Sequence, residues 1–84
     1  MADIVKHGSR YYSISDPNSK QEYVVIKVRL KKDNTRVTED IRIIEAPNML
    51  AVKTLIRTRP FKLFRKLPHD KQEFNPDTLP TIIQ

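Results

Sequence analysis

The clearest periodic run in the chain lies over residues 22–32, where Val24, Ile26, Val28 and Leu30 alternate with Tyr23, Val25, Lys27, Arg29 and Lys31. Successive side chains of a strand point to opposite faces, so this run predicts a half-buried strand with the aliphatic set inward and the basic set outward. Asp33-Asn34-Thr35 interrupts it. Alternation then resumes with Val37, Ile41 and Ile43 against Arg36, Thr38, Asp40 and Arg42, which predicts an antiparallel hairpin. Glu39 spoils the inward face: either it sits near the hairpin end, where its carboxylate reaches water, or it marks a bulge that shifts the register.

Upstream, the aromatic and β-branched run RYYSIS over residues 10–15 is followed by Asp16-Pro17-Asn18-Ser19, which predicts a strand and then a turn. At Ala46-Pro47 the period changes. Met49, Ala51, Val52, Leu55 and Ile56 recur at helical spacing, so a helix is expected over residues 47–58, lying across the hairpin and stopped by Pro60. Its apolar stripe is expected to be core, because the hairpin needs a cover. Phe61, Leu63 and Leu67 alternate with Lys62, Phe64 and Lys66, which predicts a last strand over residues 61–67.

The expected fold is α+β: a small antiparallel sheet of three to four strands packed against one helix, in the order β-β-β-α-β. Residues 1–9 are expected to be a flexible N-terminus, 10–67 a single domain, and 68–84, with prolines at 68, 76 and 80, an extended C-terminal tail. Eighty-four residues leave room for one hydrophobic core. With no cysteine, disulfides, thiolate metal sites and thiol nucleophiles are excluded, and the fold stands on packing alone. No signal-peptide core and no apolar run near the roughly 20 residues of a membrane helix is seen, so a cytoplasmic protein without membrane contact is expected, in the host cell if the source is viral.

Sixteen Lys and Arg against ten Asp and Glu give a formal charge of +6, which favours polyanionic partners. Catalytic chemistry has little to build on. The histidines, His7 and His69, lie in opposite terminal segments, and the lone glycine, Gly8, rules out a glycine-rich phosphate cradle. Glu39 and Asp40 are adjacent in a strand and should face opposite ways. No enzyme activity, cofactor or metal site is expected.

Two basic constellations remain. On the outward hairpin face, Lys27, Arg29 and Lys31, with Arg36 and Arg42 opposite, can follow a phosphate backbone while Tyr23 stacks on a base. The plainer account is the wet side of an antiparallel sheet, partly neutralised by Glu22 and Asp40. The second is Arg57, Arg59, Lys62, Arg65 and Lys66, five cations within ten positions and no acid among them. Such a patch suits phosphates or an acidic protein surface. The plainer account is dipole compensation at the helix end plus an edge strand guarded by lysines. Phe64, set between Lys62 and Lys66 and opposite Phe61, is the candidate exposed interface aromatic.

The stretch over residues 39–67, EDIRIIEAPNMLAVKTLIRTRPFKLFRKL, resembles in arrangement the small phage-encoded ββαβ proteins, some of which inhibit host-defence complexes such as CRISPR effectors. The resemblance rests on a strand ending in Glu45-Ala46, a short helix and a basic strand, and assigns no site residue. It implies action by occupying or mimicking a nucleic-acid contact of a target, and the basic balance here departs from the acidic DNA-mimic type.

The leading expectation is a non-catalytic module whose Lys/Arg patch engages nucleic acid or a nucleoprotein complex. A protein-binding inhibitor or accessory factor, acting on an acidic partner surface through Phe64, the hairpin face and the tail, is the second. A structural component of a virion or ribonucleoprotein is the third. An exposed edge strand leaves homodimerisation by sheet extension open.

Overall fold

The computed structural model describes residues 3–67. They form a five-stranded antiparallel sheet whose spatial order follows the chain: β1 (Asp3–His7), β2 (Arg10–Ile14), β3 (Glu22–Leu30), β4 (Arg36–Glu45) and β5 (Arg65–Lys66). One helix, α1 (Met49–Thr58), lies between β4 and β5 in the chain. The fold is small α+β, as the periodicity predicts, with the order β-β-β-β-α-β. The tail expected over residues 68–84 lies outside the described residues. No helix among the described residues is long and apolar enough to cross a membrane.

The additional strand is β1, in the segment expected to be flexible. His7 lies opposite Arg10, and the Gly8-Ser9 turn between them places Gly8 at φ +64°. Two-residue hairpin turns need a positive φ to match strand twist, and glycine adopts it without a Cβ clash. The only aliphatic residues of β1 are Ile4 and Val5, too few for an alternation to register. Tertiary contact holds the strand instead: Val5 is buried in the core, and Lys53 of α1 pairs with Asp3.

β3 is buried from both sides. Tyr23 and Val25 face α1, in a cluster with Val5, Tyr12, Ile14, Ile44, Val52, Ile56 and Phe61. Ile26 and Val28 face the other way, with Ile41 and Leu67, flanked by Ile4, Tyr11, Val24, Leu30 and Ile43. The expected facing is therefore reversed, because the helix covers the side read as outward and basic. Alternation reports which residues share a face, but not which of two apolar faces the helix takes. Tyr12, Ile14 and Ile44 on neighbouring strands extend the Tyr23–Val25 patch, and that patch exists only once the strands are paired.

Between Lys27 and Val28 the register shifts. Lys27 lies opposite Asp40 and Val28 opposite Thr38, so Glu39 is the extra residue of a bulge in β4. The helix begins after the cap residue Asn48, whose side-chain oxygen accepts the Ala51 N–H at 2.8 Å, so Pro47 precedes the helix instead of opening it. Val52 and Ile56 are its buried residues, which makes the stripe core as expected.

The strand expected over residues 61–67 is mostly a tight turn. A 3₁₀ turn spans Phe61–Leu63, and only Arg65–Lys66 pair with β4. The N–H of Leu63 donates to the Pro60 carbonyl and that of Phe64 to the Phe61 carbonyl, both at 3.1 Å. Residues three apart lie over one another in such a turn, so Phe61 and Phe64 share a side. Phe61 packs on Tyr12 at 5.1 Å between ring centroids, and Phe64 meets Phe61 edge-on at 6.0 Å. Leu63, which alternation had placed inward, is 71% exposed.

Next to the buried Ile14, the Ser13 side chain points to the second face with its hydroxyl unpaired among the described residues. A buried hydroxyl without a partner costs about 1–3 kcal/mol of desolvation. Ser13→Ala is expected to raise the unfolding free energy, or at least not lower it, whereas Ile14→Ala should lower it by about 2–5 kcal/mol. Urea unfolding of both variants checks this, and a clear loss for Ser13→Ala would contradict it.

Candidate nucleic-acid interface

The described cations divide into those the fold neutralises and those it leaves open. At the end of the sheet not covered by α1, Arg10 and Arg29 share the Glu39 carboxylate, Arg29 at 3.4 Å, and Arg42 binds Asp40 at 2.8 Å. The bulge brings Glu39 and Asp40 to the same side of the sheet, contrary to the expectation for adjacent strand residues. A regular strand would have turned one of them away, and the extra residue at position 39 removes that alternation. The hydrogen bond from Arg10, reinforced by the charges of Arg10, Lys27 and Arg29, holds the Glu39 carboxyl below its usual value of 4.5. Of the hairpin face expected to meet phosphates, Arg29 and Arg42 are thus paired internally, and Lys27 lies close enough to Glu39 to act on its charge.

Tyr23 is 3% exposed and belongs to the core, so it offers no face for a base to stack on. Lys31 is exposed at the hairpin tip, where Arg29, Lys31, Lys32 and Asp33 line a shallow hollow. The only signal for Lys32 in the sequence is adjacency to Lys31 and a turn.

The second constellation is divided by strand geometry. Arg65 lies opposite Ile43 on the face away from the helix, where it pairs with Glu22 and approaches Glu45 at 4.0 Å. Glu22 is in turn held below its usual 4.5, first by the hydrogen bond from the Asn18 amide and then by Arg65. Arg65 therefore serves an ion pair and not the patch.

Arg57, Arg59, Lys62 and Lys66 are exposed, and no acidic side chain pairs with any of them among the described residues. Arg57 is in the last turn of α1, Arg59 is its C-cap, Lys62 is in the 3₁₀ turn and Lys66 lies on β5.

What positions this segment is Arg42. Its guanidinium donates to the carbonyl oxygens of Lys62 at 3.3 Å and Phe64 at 3.2 Å, while Asp40 balances its charge. Lys66 is its cross-strand neighbour, so Arg42 stands between Lys62 and Lys66. Phe61 anchors the same turn in the core. Phe64, expected to be an exposed aromatic, is half-buried against Phe61, and the exposed apolar side chain beside Lys62 is Leu63. Alternation places Arg42 on the hairpin face, and nothing local in the sequence brings it to residues 62–64.

Among the described residues, no group of three or more His, Asp or Glu side chains is arranged to hold a metal ion. No known protein family matches the chain, and neither the curated proteins nor the solved structures contain a significant match.

The carboxylate pairs give stability a pH signature. Glu22 and Glu39 have folded values below those of the unfolded chain, so their contribution is fully present above about pH 5 and is lost as pH falls through the folded values. Both pairs touch solvent, so the effect should be modest. Glu39→Gln is expected to lower stability at pH 7 and to flatten the acid limb of a stability–pH curve measured by urea unfolding. An unchanged acid limb would show that the Arg10–Glu39–Arg29 cluster contributes nothing.

Proposed function

We propose that this chain is a non-catalytic basic binding module that engages nucleic acid, free or within a nucleoprotein complex, through Arg57, Arg59, Lys62 and Lys66. The observation that carries this reading is the contrast in charge pairing. Acidic side chains pair with Arg10, Arg29, Arg42 and Arg65, while these four cations, within ten positions that hold no acidic residue, have none among the described residues; Lys31 and Lys32 are likewise without an ion pair but share the hairpin tip with Asp33. Side chains held ready without an internal partner are available to phosphate oxygens, which they meet by charge-assisted hydrogen bonds and counterion release. Helix-dipole compensation accounts for Arg57 alone, since it is the one basic residue of the last turn.

The reading does not depend on the likeness to phage inhibitors, but it is compatible with one that occupies a nucleic-acid contact of a host complex. A second reading is favoured by Leu63: an exposed leucine next to Lys62 suits an acidic protein surface with an apolar centre. The absence of cysteine fits action in a reducing, cytoplasmic setting.

The test is binding to labelled nucleic acid in a salt series, comparing two variants of equal charge change. Arg57→Glu, Arg59→Glu and Lys62→Glu together are expected to weaken binding by about tenfold or more at low salt, and Lys20→Glu, Lys31→Glu and Lys32→Glu together by clearly less. Equal losses would mean that net charge alone matters and not this site. Absence of binding in the unaltered chain at low salt would favour the protein-partner reading.

A further inference from the structure

We infer that Asp40 and Arg42 are positioning residues of the proposed interface, and that nucleic-acid binding depends on the geometry of this pair and not on its charge. The inference rests on the proposed nucleic-acid reading and adds to it two residues that act through others. A short stretch of β4, residues 40–42, holds the chain over residues 62–67. One guanidinium nitrogen of Arg42 donates to the carbonyls of Lys62 at 3.3 Å and Phe64 at 3.2 Å. The Ile41 carbonyl accepts the Leu67 N–H at 3.4 Å. Between these attachments Arg42 lies opposite Lys66 and Ile43 opposite Arg65 in the β4–β5 ladder. Lys62 and Lys66 are thus both tied to Arg42, one by a hydrogen bond and one by strand register.

The chemistry of the pair explains why an arginine and an aspartate stand here. A guanidinium is planar and carries its N–H donors in fixed directions. Its Nε is taken by Oδ2 of Asp40 at 2.8 Å, which leaves Nη1 aimed at the two carbonyls. Asp40 is fixed in its turn, because its Oδ1 accepts the Ile41 N–H at 2.9 Å. A continuous chain of bonds therefore runs from the β4 backbone through Asp40 and Arg42 to the turn. The Arg42 side chain is only 17% exposed, so it is placed to support the turn and not to meet a ligand. A lysine at this position would keep the charge, but its donors all sit on one atom and cannot reproduce the fork.

Charge and geometry predict opposite results for Asp40. Removing its carboxylate makes the chain more positive by one, which by charge alone strengthens binding to a polyanion. Geometry predicts the reverse: Arg42 is no longer aimed, the turn is released, and its ordering then opposes binding.

The test measures binding of the full chain to labelled duplex DNA, single-stranded DNA and single-stranded RNA between about 50 and 200 mM salt, and follows the variants on whichever binds most tightly. Arg42→Lys, of unchanged charge, is expected to weaken binding by about fivefold or more, and Asp40→Asn by about threefold or more, because a released turn has to be ordered on binding. Glu39→Gln removes the neighbouring carboxylate without touching the bonds of Arg42, and should bind as tightly as the unaltered chain or more tightly. The slope of log affinity against log salt should change in Arg42→Lys by clearly less than the roughly 0.9 that one phosphate contact contributes. Amide hydrogen exchange of Leu63 and Phe64 should speed up in Arg42→Lys and Asp40→Asn while the β3 amides stay protected, which separates release of the turn from loss of the fold. Full affinity in Arg42→Lys, tighter binding by Asp40→Asn, or an equal loss of protection in β3 would overturn the inference while leaving the nucleic-acid reading in place. No binding of the unaltered chain to any of the three ligands would overturn both.

Discussion

Burial of β3 from both sides constrains the rest of the chain. A strand whose odd and even side chains are both apolar over much of its length needs packing partners above and below, and a single hairpin supplies neither. On one side the need is met by α1, which reaches across to β1 and is tied there by the Lys53–Asp3 pair. On the other, Ile41 of β4 and Leu67 beyond β5 gather around Ile26 and Val28. The helix must leave β4, cross the sheet and return the chain to the β4 edge, and the helix end and that return path carry Arg57, Arg59, Lys62 and Lys66. The candidate interface is thus a by-product of how the sheet is covered, anchored to the core through Phe61.

Charge follows the same division. Four of the sheet's arginines have a carboxylate beside them: Glu39 between Arg10 and Arg29, Asp40 beside Arg42, Glu22 beside Arg65. Exposed pairs of this kind add little stability individually, and their larger effect is to cancel field over the sheet. No acid serves that purpose between Arg57 and Lys66. The run from Arg57 to Lys66 thus holds cations without acids of its own, in a chain that carries +6 as a whole.

The turn after α1 joins the two themes. Phe61 is held by the core, Phe64 rests on Phe61, and Arg42 takes two of the turn's carbonyl oxygens. Arg42 spends its charge on Asp40 and its donors on the backbone, so a basic residue of the hairpin acts as a support and not as a contact. Arg65 is withdrawn in a similar way by Glu22, leaving the exposed set to residues that have no such duty.

Local spacing was enough to determine the α+β class, the β3–β4 hairpin, the helix with its buried Val52 and Ile56, and the density of cations over residues 57–66. Each of these is written in period or composition within a dozen or so neighbouring residues. The β1 strand, with two aliphatic residues, was too short to declare itself without β2 to pair with. Only the tertiary structure decided which face of β3 the helix covers, because that depends on Tyr12, Ile14 and Ile44 coming together from separate strands. It also decided that Phe61 and Phe64 share a side, since alternation and a 3₁₀ turn cannot be told apart in six residues containing two phenylalanines three apart. And it decided which cations are open. Ion pairing joins residues such as Arg65 and Glu22, 43 positions apart, and no local pattern can report a partner that distant.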